Sequence, residues 1–213
     1  MAQVPNRLAV KRNLREHIKQ LQSDRQVLDG SPITDVEIKP QDTRDIATLA
    51  IALEKLSPFP NPLRYANQLL NGAWRLEYST AREIRSLSSL PFGFLVGEIN
   101  QIIDVATASF ENKAGVEHKS GLLSGYVRIT ASFEPAIIAN KPSLQKINVN
   151  FKQRFIGITK IIGLRTKLFD PIKVVEARNP EGRTPSLDIT YIDDTMRIGR
   201  GGDGSLFILT RVG

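Results

Sequence analysis

The sequence predicts a mainly β chain, a closed antiparallel barrel with an N-terminal helical segment, and three observations carry that prediction. After Gly72 the apolar residues alternate with polar ones in short runs, the period of a sheet with one dry face. No long helical crossover separates the runs, which disfavours a parallel sheet. Eight to ten such runs in 213 residues are enough to close a barrel and so remove exposed edges, although a two-sheet sandwich meets the same pattern.

Residues 1–70 read as helical and residues 71–213 as the barrel. The first predicted helix covers 8–28, with Leu14, Ile18 and Leu21 on one side and Lys11, Arg12, Arg15 and Lys19 around the other. Asp29-Gly30-Ser31-Pro32 stops it, and Pro40 with Asp42 and Thr43 introduces the next. Ile46, Leu49, Ala50, Leu53 and Leu56 form that helix's stripe, which calls for an apolar protein surface to cover it. Pro58, Pro60 and Pro62 end it, and a short helix over 63–70 leads to Asn71-Gly72.

In the first strand Trp74, Leu76 and Tyr78 are expected on one face, opposite Arg75 and Glu77. The same reading puts Val127, Ile129, Ala131 and Phe133 together, then Ile147, Val149 and Phe151, then Leu187, Ile189 and Tyr191. Phe207, Leu209 and Arg211 share a face, yet Leu206 and Ile208 make the opposite face apolar as well. Weaker strands are expected near 99–105, 107–112, 115–119, 172–177 and 195–199. Pro91 to Gly97 suits either a lid or a plug at a barrel mouth, and 156–168 either a strand pair or a short basic amphipathic helix.

Composition removes several chemistries. Without cysteine there is no disulfide, thiolate nucleophile or cysteine-bound metal, and the two histidines, His17 and His118, make no compact cluster, so no metal site is expected. No run approaches 18 apolar residues and the N-terminus lacks an apolar stretch, so neither a membrane span nor secretion is expected. The net charge is +7, and residues 140–183 hold ten Lys/Arg against three Asp/Glu. An anionic membrane surface would complement that field, with Lys146, Lys152, Lys160 and Lys167 facing it; simple solvation of a basic face needs no partner. Nothing resembles a zinc finger or other sequence-reading module, so sequence-specific nucleic acid is not expected.

Asn71-Gly72-Ala73-Trp74-Arg75-Leu76-Glu77-Tyr78, Gln101-Ile102-Ile103-Asp104, Phe110-Glu111-Asn112 and above all Thr190 to Leu209 resemble the plastid lipid-associated protein, or fibrillin, family. The last block combines Tyr191-x-Asp193 with Arg197-x-x-Arg200-Gly201 and a glycine hairpin at Gly204 that leads into Phe207. The resemblance frames residues 70–211 and implies a lipocalin-like barrel, with Gly72, Trp74, Tyr78, Asp104, Tyr191, Asp193, Arg197, Arg200, Gly201, Gly204 and Phe207 as structural motif residues. It implies association with photosynthetic membranes, in a cyanobacterial or a mature plastid member, at the cytoplasmic side of thylakoids or at the thylakoid and lipid-globule periphery of plastids.

The expected function is noncatalytic binding or membrane-surface organisation of a lipid or small hydrophobic molecule, with no cofactor required and a fatty acid, prenyl quinone or carotenoid as the ligand. Trp74, Tyr78, Phe92, Phe94, Phe133, Phe151, Tyr191 and Phe207 are the candidate contacts, at a site opening near Pro91 to Gly97, although an aromatic stripe equally fills a core. One rival is a structural protein with a self-filled barrel and a basic interaction face. The other is an enzyme that attaches or modifies a chromophore. Asp193 and Asp194 lie near Arg197 and Arg200, but neighbouring strand residues point apart, and a turn held by carboxylate–arginine pairs explains them better than an acid–base pair. Ser79, Ser86 and Ser124 lack a nucleophile elbow, and the glycines from Gly199 to Gly204 lack a phosphate-binding lysine. If the last strand pairs with the first, Arg211 meets the Trp74 ring.

Overall fold

Asn6 accepts the Leu8 backbone N–H at 2.9 Å and so caps α1 (Arg7–Ser23). The computed structural model that gives this geometry describes residues 6–25, 28–177, 182 and 184–213. The helix therefore stops short of the predicted residue 28, and residues 26 and 27 lie outside the described residues. Strand β1 (Ile33–Thr34) follows, and α2 (Pro40–Glu54) begins with the proline at its first turn, where a missing N–H costs nothing. The predicted helix over 63–70 is two short turns, α3 (Pro62–Tyr65) and α4 (Asn67–Leu70), because Ala66 leaves helical geometry at φ −130°.

The remaining elements are β2 (Gly72–Ser79), α5 (Arg82–Arg85), β3 (Phe94–Asp104), β4 (Ser109–His118), β5 (Leu123–Ile138) and β6 (Lys141–Ile161). Then come β7 (Leu164–Arg165), β8 (Lys173–Glu176), β9 (Ser186–Ile192), β10 (Met196–Gly201) and β11 (Leu206–Arg211). Eight strands close a ring in the order β2, β3, β4, β5, β6, β9, β10, β11, each antiparallel to its neighbours, with β11 returning to β2. The barrel, rather than the sandwich, is the fold. Strand β1 adds to β2 in parallel, while β7 and β8 pair with the outer stretch of β6. The weak runs 107–112 and 115–119 merge into the single strand β4, and the ambiguous 156–168 stretch is a strand pair, β6 turning back into β7.

Among the β-bulges of the barrel, two decide which side chains of β2 and β9 enter it. Along β11, Ile208 pairs with Tyr78 and Leu209 with Leu76, which leaves Glu77 as an extra residue. Along β10, Ile198 pairs with Tyr191 and Gly199 with Ile189, which leaves Thr190 extra. Each insertion reverses the alternation beyond it. Trp74, Leu76 and Ile189 consequently face the lumen, whereas Tyr78 and Tyr191 face outward, correcting the expectation of shared faces.

Two cores result. Val10, Leu14 and Ile18 of α1 and Ile46, Ala50 and Leu53 of α2 pack on the outer faces of Tyr78, Tyr191, Met196, Ile198, Leu206 and Ile208. This explains why β11 is apolar on both sides: one face lines the barrel and the other lies under the helices. The second core fills the lumen with Trp74, Leu76, Ile99, Ile103, Phe110, Ile147, Val149, Ile189, Ile192 and Leu209. Ala66 and Leu70 join it at the end where β2 begins, and Ile84 and Leu87, following β2, join it at the opposite end.

Candidate functional site

The end of the barrel at Trp74 is built from one aromatic ring and two cations drawn from distant parts of the chain. Trp74 is fully buried, and its indole N–H donates to the Leu70 carbonyl at 2.9 Å. Arg211 pairs with Trp74 in register, as expected, and its guanidinium sits 4.3 Å from the ring centroid. It also donates to the carbonyls of Asp194 at 2.8 Å, Asn71 at 2.9 Å and Leu69. Gly72 has φ +106°, and a Cβ there would lie 3.1 Å from Arg211 Nη1, so a side chain would be strained and would crowd the clamp.

Arg197 approaches the same ring at 5.2 Å, but from inside the barrel and 2% exposed. Its Nη2 donates to Gln101 Oε1, and Gln101 in turn donates to Asn112 at 2.9 Å, while its Nε has no partner among the described residues. Burial, reinforced by the like charge of Arg211, pushes its pKa down to about 9, so the group remains charged at neutral pH and the fold bears the desolvation cost.

The turn-centred reading of the Asp193 block holds for Asp193 and fails for its arginines. Asp193 accepts the backbone N–H groups of Thr195 and Met196, each at 2.9 Å, and the Tyr191 hydroxyl, and it binds Lys11 of α1 at 2.6 Å. Burial alone would raise its pKa, yet the bonds from Lys11, Tyr191 and Thr195 outweigh that and hold the carboxyl below its ordinary value. Arg200 points outward to a bidentate pair with Glu54 of α2, at 2.8 and 3.0 Å, and so ties the barrel to the helices. Asp104 accepts the amides of Ala106 and Thr107 in the β3–β4 turn. Gly201 and Gly204 form the β10–β11 turn, where the Gly204 N–H donates to the Gly201 carbonyl at 2.8 Å.

Of the eight aromatic candidates, Trp74, Phe133, Phe151 and Phe207 gather at the lumen. Phe110, whose ring lies 6.3 Å from that of Phe133, belongs with them, although its run is too weakly patterned to single it out. Tyr78 and Tyr191 belong to the outer core, and burial pushes the Tyr78 hydroxyl up to about 12. Phe92 is 87% exposed with φ +60°, and Phe94 packs edge-on against His118 at 5.4 Å. Neither packs on the lumen core; of the predicted segment Val96 does, together with Ile84 and Leu87.

A cavity of about 50 Å³ lies beside the predicted opening, bordered by Ile84, Leu87, Leu95 and Val96. That is far below the few hundred Å³ typical of ligand sites, about 300 at least. A cavity of about 380 Å³ lies elsewhere, where β6 parts from β9 and before it meets β8. Phe133 and Val149 line it together with Ser132, Glu134, Asn148, Asn150, Thr184 and Pro185.

Other chemistry is sparse. Ser79, Ser86 and Ser124 make no hydrogen bond to a histidine among the described residues; Ser79 Oγ accepts the Ala81 amide and Ser86 Oγ donates to the Glu83 carbonyl. His118 Nδ1 instead meets Ser120 in an exposed turn. His17, Asp42 and Asp45 converge between α1 and α2 with ligand atoms within 4.8 Å of one another, a juxtaposition that no linear spacing announces. Of the four candidate membrane lysines, Lys146 is 3.2 Å from Asp188, Lys160 is half-buried opposite Arg165, and Lys152 and Lys167 are exposed. Arg178, Glu181 and Arg183 of the basic stretch lie outside the described residues.

A closed eight-stranded antiparallel barrel, with a buried Gly-x-Trp on its first strand clamped by an arginine on its last, defines a lipocalin-like barrel protein. The chain belongs to the PAP_fibrillin family, whose model matches residues 26–210. It is 31% identical over 179 residues to plastid-lipid-associated protein 6 of Arabidopsis thaliana, covering 76% of this chain and 60% of that one. It is also 31% identical over 205 residues to a chromoplast-specific carotenoid-associated protein of Cucumis sativus, covering 81% and 62%, and 30% identical over 202 residues to a light-induced chloroplast protein of Solanum demissum, covering 79% and 60%. The chain thus spans about three fifths of the length of these relatives. No helix among the described residues is long and apolar enough to cross a membrane.

Proposed function

We propose that the protein is a noncatalytic binder of a neutral amphiphilic lipid, of the prenyl quinone or carotenoid class, working at the periphery of thylakoids or plastid lipid globules or at the corresponding cyanobacterial surface. The observation that carries this is the 380 Å³ cavity, whose lining includes two members of the lumen core, Phe133 and Val149. Contact with Phe133, Val149 and Pro185 rewards desolvation of a ring or chain, and hydroxyl and amide groups at Ser132, Asn148, Asn150 and Thr184 suit a carbonyl or hydroxyl head. Glu134 is the one charged residue of the lining among the described residues, and a carboxylate there disfavours a free fatty acid headgroup beside it. The names of relatives associated with plastid lipid and carotenoid support the ligand class.

A short-chain quinone analogue should bind saturably at one molecule per chain, and a fatty acid should compete poorly. Thr184→Trp, at the exposed rim, should weaken the quinone analogue by about tenfold by displacing apolar contact, with no change in the unfolding midpoint. Absence of binding by several neutral ligands would favour the self-filled structural barrel, the reading that Leu70 and Leu87 support by packing into opposite ends of the lumen.

A further inference from the structure

The outer stretch of the β5–β6 ribbon carries apolar side chains that the barrel does not use. Beyond Phe151, β6 no longer pairs with β9; it pairs with β8 and β7, formed by a strap that folds back along its edge. The strap is well fixed. Ile158 N–H donates to the Phe169 carbonyl at 2.9 Å, Ile172 N–H to Ile156 at 2.8 Å and Thr166 N–H to Thr159 at 3.0 Å, and Tyr126 donates its hydroxyl to Asp170. Ile162 N–H closes the tip by donating to Leu122 at 2.6 Å.

At that ordered tip and strap, Ile162 is 71% exposed, Leu164 76% and Leu168 86%, and Leu122, Phe169, Ile172 and Val174 are exposed as well. A scattered exposed leucine needs no explanation, but a contiguous group on one ribbon end marks an interaction surface. The charges around it are mostly positive. Residues 152–173 contain Lys152, Arg154, Lys160, Arg165, Lys167 and Lys173 against Asp170 alone, and none of these bases enters an ion pair among the described residues. Asp170 is already engaged with Tyr126.

We infer that this tip is a membrane-docking face, inserting Ile162, Leu164 and Leu168 among acyl chains while Lys160, Arg165, Lys167 and Lys173 meet anionic headgroups. A second copy of the chain fits poorly, because pairing two such tips would bring like charges together in a desolvated contact. An anionic bilayer satisfies both features at once, offering an apolar layer directly beneath negative charge. The face involves Lys160 and Lys167 of the sequence candidates, and it leaves Lys146 on the barrel wall with Asp188. It rests on the proposed function only for the choice of a lipid surface, since the tip and the Phe133–Val149 cavity share no residue.

The test is cosedimentation of the full chain with vesicles of equimolar phosphatidylglycerol and phosphatidylcholine, beside vesicles of phosphatidylcholine alone. The wild type should bind the mixed vesicles and bind the neutral ones weakly. Replacing Ile162, Leu164 and Leu168 singly by Ser should lower partition by about tenfold each, because each removes one inserted side chain. The combined Lys160→Gln, Arg165→Gln, Lys167→Gln and Lys173→Gln variant should lower it by about a hundredfold or more. All these positions but the half-buried Lys160 are exposed and none lines the cavity, so unfolding midpoints and quinone-analogue binding should stay at wild-type values; loss of quinone binding alone would count against the cavity reading and leave the docking face standing. Equal sedimentation of wild type and variants overturns the inference. So does concentration-dependent dimerisation that the Ser variants abolish, which would assign the tip to a second copy.

Discussion

Trp74→Ala tests the barrel closure most directly. The side chain is fully buried, so its removal costs about 3–5 kcal/mol for the lost apolar contact and the cavity left behind. It also leaves the Leu70 carbonyl without its donor and takes away the ring beneath the half-exposed Arg211, a contact worth about 1 kcal/mol. These contributions overlap, and the expected loss is about 5 kcal/mol, comparable with the whole stability of a marginal domain, about 5–15 kcal/mol. In urea, with a slope of about 2–3 kcal/mol per molar, the unfolding midpoint should fall by about 2 M. Trp74→Phe keeps a ring under the cation but loses the indole donor, so it should recover roughly half of the loss. A double-mutant cycle with Arg211→Gln isolates the ring–cation coupling, expected at about 1 kcal/mol. A loss below about 1 kcal/mol for Trp74→Ala, or zero coupling with Arg211, would refute the closure at this end.

The other predictions separate residues that look equivalent in the sequence. Arg200→Ala breaks a partly buried bidentate pair with Glu54 and should cost about 1.5–3 kcal/mol in chemical denaturation, with little further loss when Glu54→Gln is added. Arg197→Met should cost less than Arg200→Ala at neutral pH, because it removes a buried charge that no carboxylate among the described residues balances. The burial penalty on Arg197 is complete below its folded pKa and is relieved as pH rises through about 9 toward its ordinary value, so wild type should gain on the variant in that alkaline window. Asp193 is held below its ordinary value, so it stabilises the fold above that value, near 3.8, and loses the contribution as pH falls through its folded pKa; Asp193→Asn should flatten the acid limb of a stability-against-pH curve.

The sequence by itself determined what repeats. The stripes Leu14–Ile18 and Ile46–Ala50–Leu53 fixed two surface helices, and alternation through Ile147–Val149 and Phe207–Leu209–Arg211 fixed a barrel whose last strand could bring Arg211 to Trp74. Periodicity survives folding because each residue type is matched to a face that the backbone repeats. Tertiary structure decided whatever depends on one unpaired residue or on distant partners. The extra residues Glu77 and Thr190 turn Tyr78 and Tyr191 out of the lumen and under the helices, because a bulge shifts the register by one and leaves no mark in local composition. Arg197 and Arg200 look like one motif, yet their odd spacing along β10 sends one to the Trp74 ring and the other to Glu54. The ring closure likewise decided that Ile162, Leu164 and Leu168 stay outside, because β6 is longer than the barrel can pair and its outer stretch must find another partner.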